Sequence, residues 1–203
     1  AGRAAANELN ADRMLQHSMT VMVELAEARH RIRPCEPHKA NEPLKLLLVG
    51  YNGTRNTGAD VRVQEMIRQF RHLLGDDHLS LSIATVDPNC SRGYFPTVRQ
   101  LHMPKVFPKF LLEQVHQHHG VVVAEGSMFK SLFANALCTL MVGALGLARA
   151  EHKLAVAYGG EAGAMDASMR RMVKKYVSEA LILVRNSQSS EVLRALGIDS
   201  QVG

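Results

Sequence analysis

Leu44-Lys45-Leu46-Leu47-Leu48-Val49-Gly50 runs directly into Tyr51-Asn52-Gly53-Thr54-Arg55-Asn56-Thr57-Gly58-Ala59-Asp60. The first part is apolar except for Lys45, the pattern of a strand buried on both faces. The second part is rich in glycine, asparagine and threonine, which punctuate loops. From about Ala59 to Leu74 the apolar spacing becomes helical. A buried strand, a glycine-rich loop and a helix make the opening of a βαβ unit.

The same alternation continues downstream. Strands are expected at Leu79–Val86, Val98–His102, Gly120–Ala124, Lys153–Tyr158 and Ala180–Val184, with another beginning at Ser200–Val202. Helices are expected at Pro108–Gln117, Ser131–Ala150, Asp166–Ser178 and Ser187–Leu196, with Asp166 as an N-cap. Strands alternating with helices of this length argue for an α/β fold, a Rossmann-like parallel sheet with helices on both faces.

Upstream, residues 4–32 read as a helix. Leu9, Met14, Leu15, Met19, Met22, Val23 and Leu25 form a rough apolar stripe, and Arg29, His30, Arg31 and Arg33 place positive charge at its carboxyl end. Pro34 and Pro37 stop it, and Cys35–Pro43 reads as a linker. The expected division is 1–43, helix and linker, and 44–203, a Rossmann-like domain truncated at its carboxyl end. The helix is either a packing helix or the tail of a preceding region, or else it serves oligomerisation or surface attachment. A start at Ala1 and a stop straight after a strand lead us to expect a longer protein.

The whole chain has 203 residues, 46% of them hydrophobic and 21% charged. That composition excludes a disordered tail, a collagen-like fibre and a disulfide-knotted mini-protein. Lys and Arg number 24 against 19 Asp and Glu, a formal charge of +5. So mild an excess favours an anionic ligand, a phosphate or an acidic glycan, and does not argue for nucleic acid. Cys35, Cys90 and Cys138 are odd in number, far apart and without CxxC spacing, which fits a reducing compartment. The apolar stretch Ala134–Ala148 is short for a membrane span and no secretory signal is visible, so a cytoplasmic location is expected.

Ligands of such sheets bind beyond the carboxyl ends of the strands, which selects four segments. In Gly50–Asp60, Gly53 and Gly58 permit close backbone approach, and Asn52, Thr54, Asn56 and Thr57 offer hydrogen bonds to a sugar or phosphate. The spacing is neither GxGxxG nor GxxxxGK[ST], and a tight turn capped by Asp60 reads equally well. In Glu125-Gly126-Ser127-Met128-Phe129-Lys130-Ser131, Glu125 is either a general base or an acid beside a helix N-terminus. Tyr158-Gly159-Gly160-Glu161-Ala162-Gly163 is either shaped around a ligand or an ordinary connection. Arg185, at the end of an apolar strand, is placed to fork onto a carboxylate or phosphate, or to pair with a neighbouring acid. A serine cluster, Ser187 to Ser190, follows as a cap for the next helix.

His116, His118 and His119 cluster, but no cysteine lies close to them in sequence and they precede the amino end of a strand. No metal and no other cofactor is assigned. Ser127 lacks the surroundings of a hydrolase nucleophile. Few aromatics and no basic–aromatic alternation argue against an RNA surface.

Taken in order, these loops resemble the polysaccharide pyruvyl transferase family. The matching pieces are the first strand with Gly53–Asp60, then Val121–Ser131 continuing to Ala136, then Tyr158–Asp166, then Val184-Arg185 with Ser189-Ser190 and Leu196-Gly197-Ile198. The resemblance spans Leu44 to Gly203. Where the family often has three glycines after the middle strand, this chain has Glu125-Gly126-Ser127. The family's carboxy-terminal histidine and basic residues have no counterpart here.

The resemblance implies one half of a two-domain, GT-B-like glycosyltransferase fold. It implies transfer of a pyruvyl group from phosphoenolpyruvate to a sugar of a cell-surface or exopolysaccharide glycan. The family arginine falls on Arg185, expected to grip the donor's phosphate or carboxylate. Glu125 and Asp60 are the candidate catalytic carboxylates. Asn52, Gly53, Asn56, Gly58, Gly126, Ser127, Lys130, Gly159, Gly160, Glu161 and Arg185 are the candidate substrate-binding residues. The partners implied are phosphoenolpyruvate and a glycan or lipid-linked saccharide acceptor, with peripheral membrane proximity and a homo-oligomer left open and no nucleic acid expected. Two other readings remain: a nucleotide-sugar-dependent GT-B-like glycosyltransferase, and a non-catalytic α/β module that binds a phosphorylated ligand.

Overall fold

The computed structural model describes residues 2–124, 126, 128–131 and 135–203. A long helix α1 (Gly2–Ile32) precedes the sheet. Then come β1 (Leu44–Val49), α2 (Thr57–Leu74), β2 (Leu79–Thr85), the one-turn α3 (Pro88–Ser91), β3 (Arg99–His102), α4 (Pro108–Gln117) and β4 (Gly120–Ala124). The remainder is α5 (Asn135–Ala150), β5 (Leu154–Gly160), α6 (Ala167–Val177), β6 (Leu181–Val184), α7 (Ser187–Arg194) and β7 (Gln201–Val202).

The strands form a 7-stranded sheet in the order β3-β2-β1-β4-β5-β6-β7, with every pairing parallel. This is the expected Rossmann-like α/β architecture. The chain runs outward from β1 to β3, crosses back through α4, and runs outward again from β4. The order therefore reverses between β1 and β4, where doubly wound sheets open a crevice.

Alternating side chains build two cores. Leu46, Leu48, Leu81, Ile83 and Val122 meet Val63, Met66 and Ile67 of α2 on one face. Leu47, Val49, Val121, Val123 and Ala157 meet α4, α5, α6 and α7 on the other. Met19, Val23 and Ala26 of α1 are fully buried in this second core. Each fully buried large apolar side chain is worth about 1.5–3 kcal/mol.

Helix α5 lies between the sheet and an outer layer, which is why it is apolar nearly all round. Its glycines let the neighbours close in: a β-carbon on Gly143 would stand 2.5 Å from Met19 Cε, and one on Gly146 would stand 3.0 Å from the Tyr176 ring. No helix among the described residues is long and apolar enough to cross a membrane.

Several element boundaries shift by one or two residues from expectation, and two of the differences shape the loops after β4 and β5. Ser131 lies outside the helix, its N–H donating to Ala164 O at 3.1 Å and its hydroxyl accepting from Asp166 N at 2.7 Å. β5 continues past Tyr158 to Gly160, with a register slip between them where Gly159 takes φ +70°. The Asp166 cap forms as expected, with its carboxylate accepting from Met169 N at 2.8 Å.

Candidate functional site

Tight backbone packing closes the carboxyl end of β1. A β-carbon on Gly50 would stand 2.5 Å from Ala124 O at the end of β4. Beyond it, Asn52 is buried and donates from Nδ2 to Ala84 O at 3.1 Å, while Val86 N donates to Asn52 O at 3.0 Å. Gly53, at φ +74°, leaves no room for a side chain: a β-carbon would sit 2.1 Å from Thr85 Oγ1. Both residues therefore lock the first loop onto the end of β2 rather than facing outward.

Asn56 accepts from Ala59 N at 3.3 Å and is the N-cap of α2. Asp60 is not the cap; it is buried within the first turn. Gly58 stands beside the Asn56 cap at the start of this helix.

The second and third loops pack on each other. Phe129 pairs with Ala162 in a parallel bridge, Phe129 N donates to Glu161 O at 3.1 Å, and Gly163 N donates to Phe129 O at 3.0 Å. Glu161 N donates to the carbonyl of Gly126, itself at φ +83°. A β-carbon on Gly163 would meet Lys130 Cε at 2.6 Å. Gly160 and Gly163 thus make room for the chain's own second loop. Gly159 and Gly126 face open space. Glu125 and Ser127 lie outside the described residues.

This packing assembles an ion cluster from three loops. Glu161 is held by Lys130 Nζ, 2.6 Å from Oε1, and by an Arg185 NH group on Oε2. The hydrogen bond from Lys130, together with the nearby Arg185 charge, holds the Glu161 carboxyl below its usual range, against a smaller effect of burial. Arg185 remains partly exposed, and its backbone N–H donates to Gly160 O at 3.1 Å. The following helix is capped by Asn186, which accepts from Ser189 N at 2.8 Å, and not by the serines. The Ser189 hydroxyl instead accepts from Ala162 N at 3.1 Å and anchors α7 to the glycine loop.

Beside the cluster lies a cleft of about 520 Å3 bordered by Val61, Glu65, Gln69, Tyr158, Gly159 and Arg185. Val61, Glu65 and Gln69 recur every fourth residue, so they share one face of α2. Tyr158 donates its phenolic hydrogen toward Gln69 Oε1 at 2.8 Å across the cleft wall. Sequence reasoning passed over these three α2 residues. Their four-residue spacing was visible, but the partner strand that makes that face a wall was not.

Two cations meet one carboxylate here, leaving one positive charge in excess within the cluster itself. Such a cluster can take a second anion on Arg185, or exchange Glu161 for a ligand's carboxylate or phosphate. At the opposite end of the sheet, Cys35, His116 and Glu151 bring three metal-ligating atoms within 4.8 Å of one another. No family model matches the chain, and no curated protein matches it.

Proposed function

We propose that the chain is the amino-terminal half of a polysaccharide pyruvyl transferase with a GT-B-like architecture. The observation that carries this reading is the convergence of Lys130 and Arg185 on Glu161 beside the cleft. Phosphoenolpyruvate carries a carboxylate and a phosphate on one small carbon frame. Two cations at a strand end, one a planar guanidinium, match that pair of anions.

In the proposed reaction the donor methylene gains a proton and two hydroxyls of one sugar add to the adjacent carbon. The bond to the phosphate oxygen breaks and phosphate leaves. Arg185 and Lys130 stabilise the donor anions and the departing phosphate, where charge accumulates. A carboxylate takes the two hydroxyl protons in turn and passes one to the donor methylene and one to the departing phosphate; Glu125 and Asp60 are the candidates. Glu161 keeps the two cations positioned and is displaced toward solvent as the donor enters.

The test measures phosphoenolpyruvate binding by calorimetry, and phosphate release with sugars offering two neighbouring hydroxyls. Charge-assisted hydrogen bonds contribute about 1.5–3 kcal/mol, so Arg185→Ala is expected to weaken donor binding about 10- to 100-fold. Donor binding without turnover by the full-length protein would favour the non-catalytic module. Equal affinity of wild type and Arg185→Ala would remove the site from this end of the sheet.

A further inference from the structure

A basin of about 930 Å3 opens at the amino ends of the strands, far from the Arg185 cleft along the strand direction. Cys35 comes to it from the linker after α1, His116 from the last turn of α4, and Glu151 from the residue after α5. All three approach each other through atoms that ligate metals. His116 Nδ1 is 3.2 Å from Glu151 Oε2, Cys35 Sγ is 3.5 Å from the same oxygen, and Sγ and Nδ1 are 4.0 Å apart.

A tetrahedral ion with a metal–sulfur bond of about 2.3 Å and metal–nitrogen and metal–oxygen bonds of about 2.0–2.1 Å needs ligand–ligand edges of about 3.3–3.6 Å. The observed triangle meets two of these edges and exceeds the third by a few tenths of an ångström. A small rotation of the Cys35 side chain closes that gap.

The surroundings hold the triangle in place. Glu151 is buried, with Arg29 on one carboxylate oxygen and Lys153 Nζ 2.9 Å from the other. Lys153 also donates to the carbonyls of Val115 and His116 at 2.8 and 2.7 Å, fixing the end of α4. Cys35 N donates to His30 Nδ1 at 3.3 Å, and the His30 ring stacks on His152 at 4.5 Å. Ligands braced by hydrogen bonds of this kind are a mark of built metal sites.

We propose that Cys35, His116 and Glu151 form a site for a borderline divalent transition metal of the zinc class. The thiolate, imidazole and carboxylate donors select such an ion over magnesium or calcium. On binding, the Cys35 thiol releases its proton to solvent, and His116 offers the Nδ1 lone pair. The thiolate supplies one new negative charge to the ion, while the Glu151 carboxylate is shared between the ion and its two cationic hydrogen-bond donors, Arg29 and Lys153. The fourth position faces the basin and takes water. The ion ties the linker to α4 and α5, and so secures the carboxyl end of α1. This site is independent of the proposed transferase chemistry.

The test is titration of tag-free, reduced full-length protein with cobalt(II), followed by displacement with zinc(II). The expected result is a thiolate-to-cobalt charge-transfer band that saturates at one equivalent and disappears with zinc. Cys35→Ser and His116→Ala should both lose the band, and Cys90→Ser should keep it. Both substituted side chains are partly exposed, so the fold survives, which circular dichroism would verify. No band in the wild type, or a band retained in Cys35→Ser or His116→Ala, overturns the site.

Discussion

A β-carbon on Gly160 would stand 2.3 Å from the sulfur of Met128, so the glycine loop after β5 closes directly over the buried thioether of the loop after β4. That contact registers Phe129 against Ala162, and through it brings Lys130 and Glu161 within ion-pair distance. The ion cluster is therefore built on a packing contact that has no charge in it.

Gly160→Ala is expected to destabilise the fold by about 1–3 kcal/mol, the usual cost of overpacking. Met128→Ala in the same chain opens the space and should recover part of that loss. Urea denaturation of the two single variants and the double variant measures the coupling. Strictly additive effects would mean that the loops do not close on each other.

The Glu161 carboxyl lies below its ordinary 4.5 in the folded chain. On acidification the unfolded state therefore takes up its proton first. The stability contributed by the Lys130–Glu161–Arg185 cluster is complete above about pH 5 and is lost as pH falls through the lower folded value. The urea midpoints of wild type and Glu161→Gln should differ at neutral pH and converge on acidification. A gap unchanged down to about pH 3 would contradict the assignment.

Cys138 is fully buried on α5, and burial pushes its thiol up to about 12. With so little thiolate it should resist thiol reagents in the native protein and react only on unfolding. Cys90 is partly exposed and should react natively. Peptide mapping after labelling under native and denaturing conditions distinguishes them.

Met19 is fully buried between α1 and α5, over the space that Gly143 leaves. Met19→Ala should cost about 2–5 kcal/mol, as large-to-small core substitutions do. Met14, on the same helix, is 70% exposed, and Met14→Ala should change stability by no more than about 0.5 kcal/mol. Equal, small effects of the two would mean that α1 does not contribute to the core.

The sequence by itself determined the elements. Apolar runs such as Leu46–Val49 and Val121–Ala124 can only be satisfied by burial on both faces, and amphipathic stretches such as Met169–Val177 must lay one side on something apolar. Both are local properties of spacing, as is the Asp166 cap three residues before Met169. Tertiary structure decided which residues meet. Asn52 and Gly53 resembled ligand contacts until β2 arrived to occupy them, and Gly160 and Gly163 until Met128 and Lys130 did. Cys35, His116 and Glu151 are separated by 81 and 35 positions, and no periodicity spans such a distance. Their meeting depends on α1, α4 and α5 stacking on one face of the sheet, which is settled by burial summed over the whole core and not by any one stretch of chain.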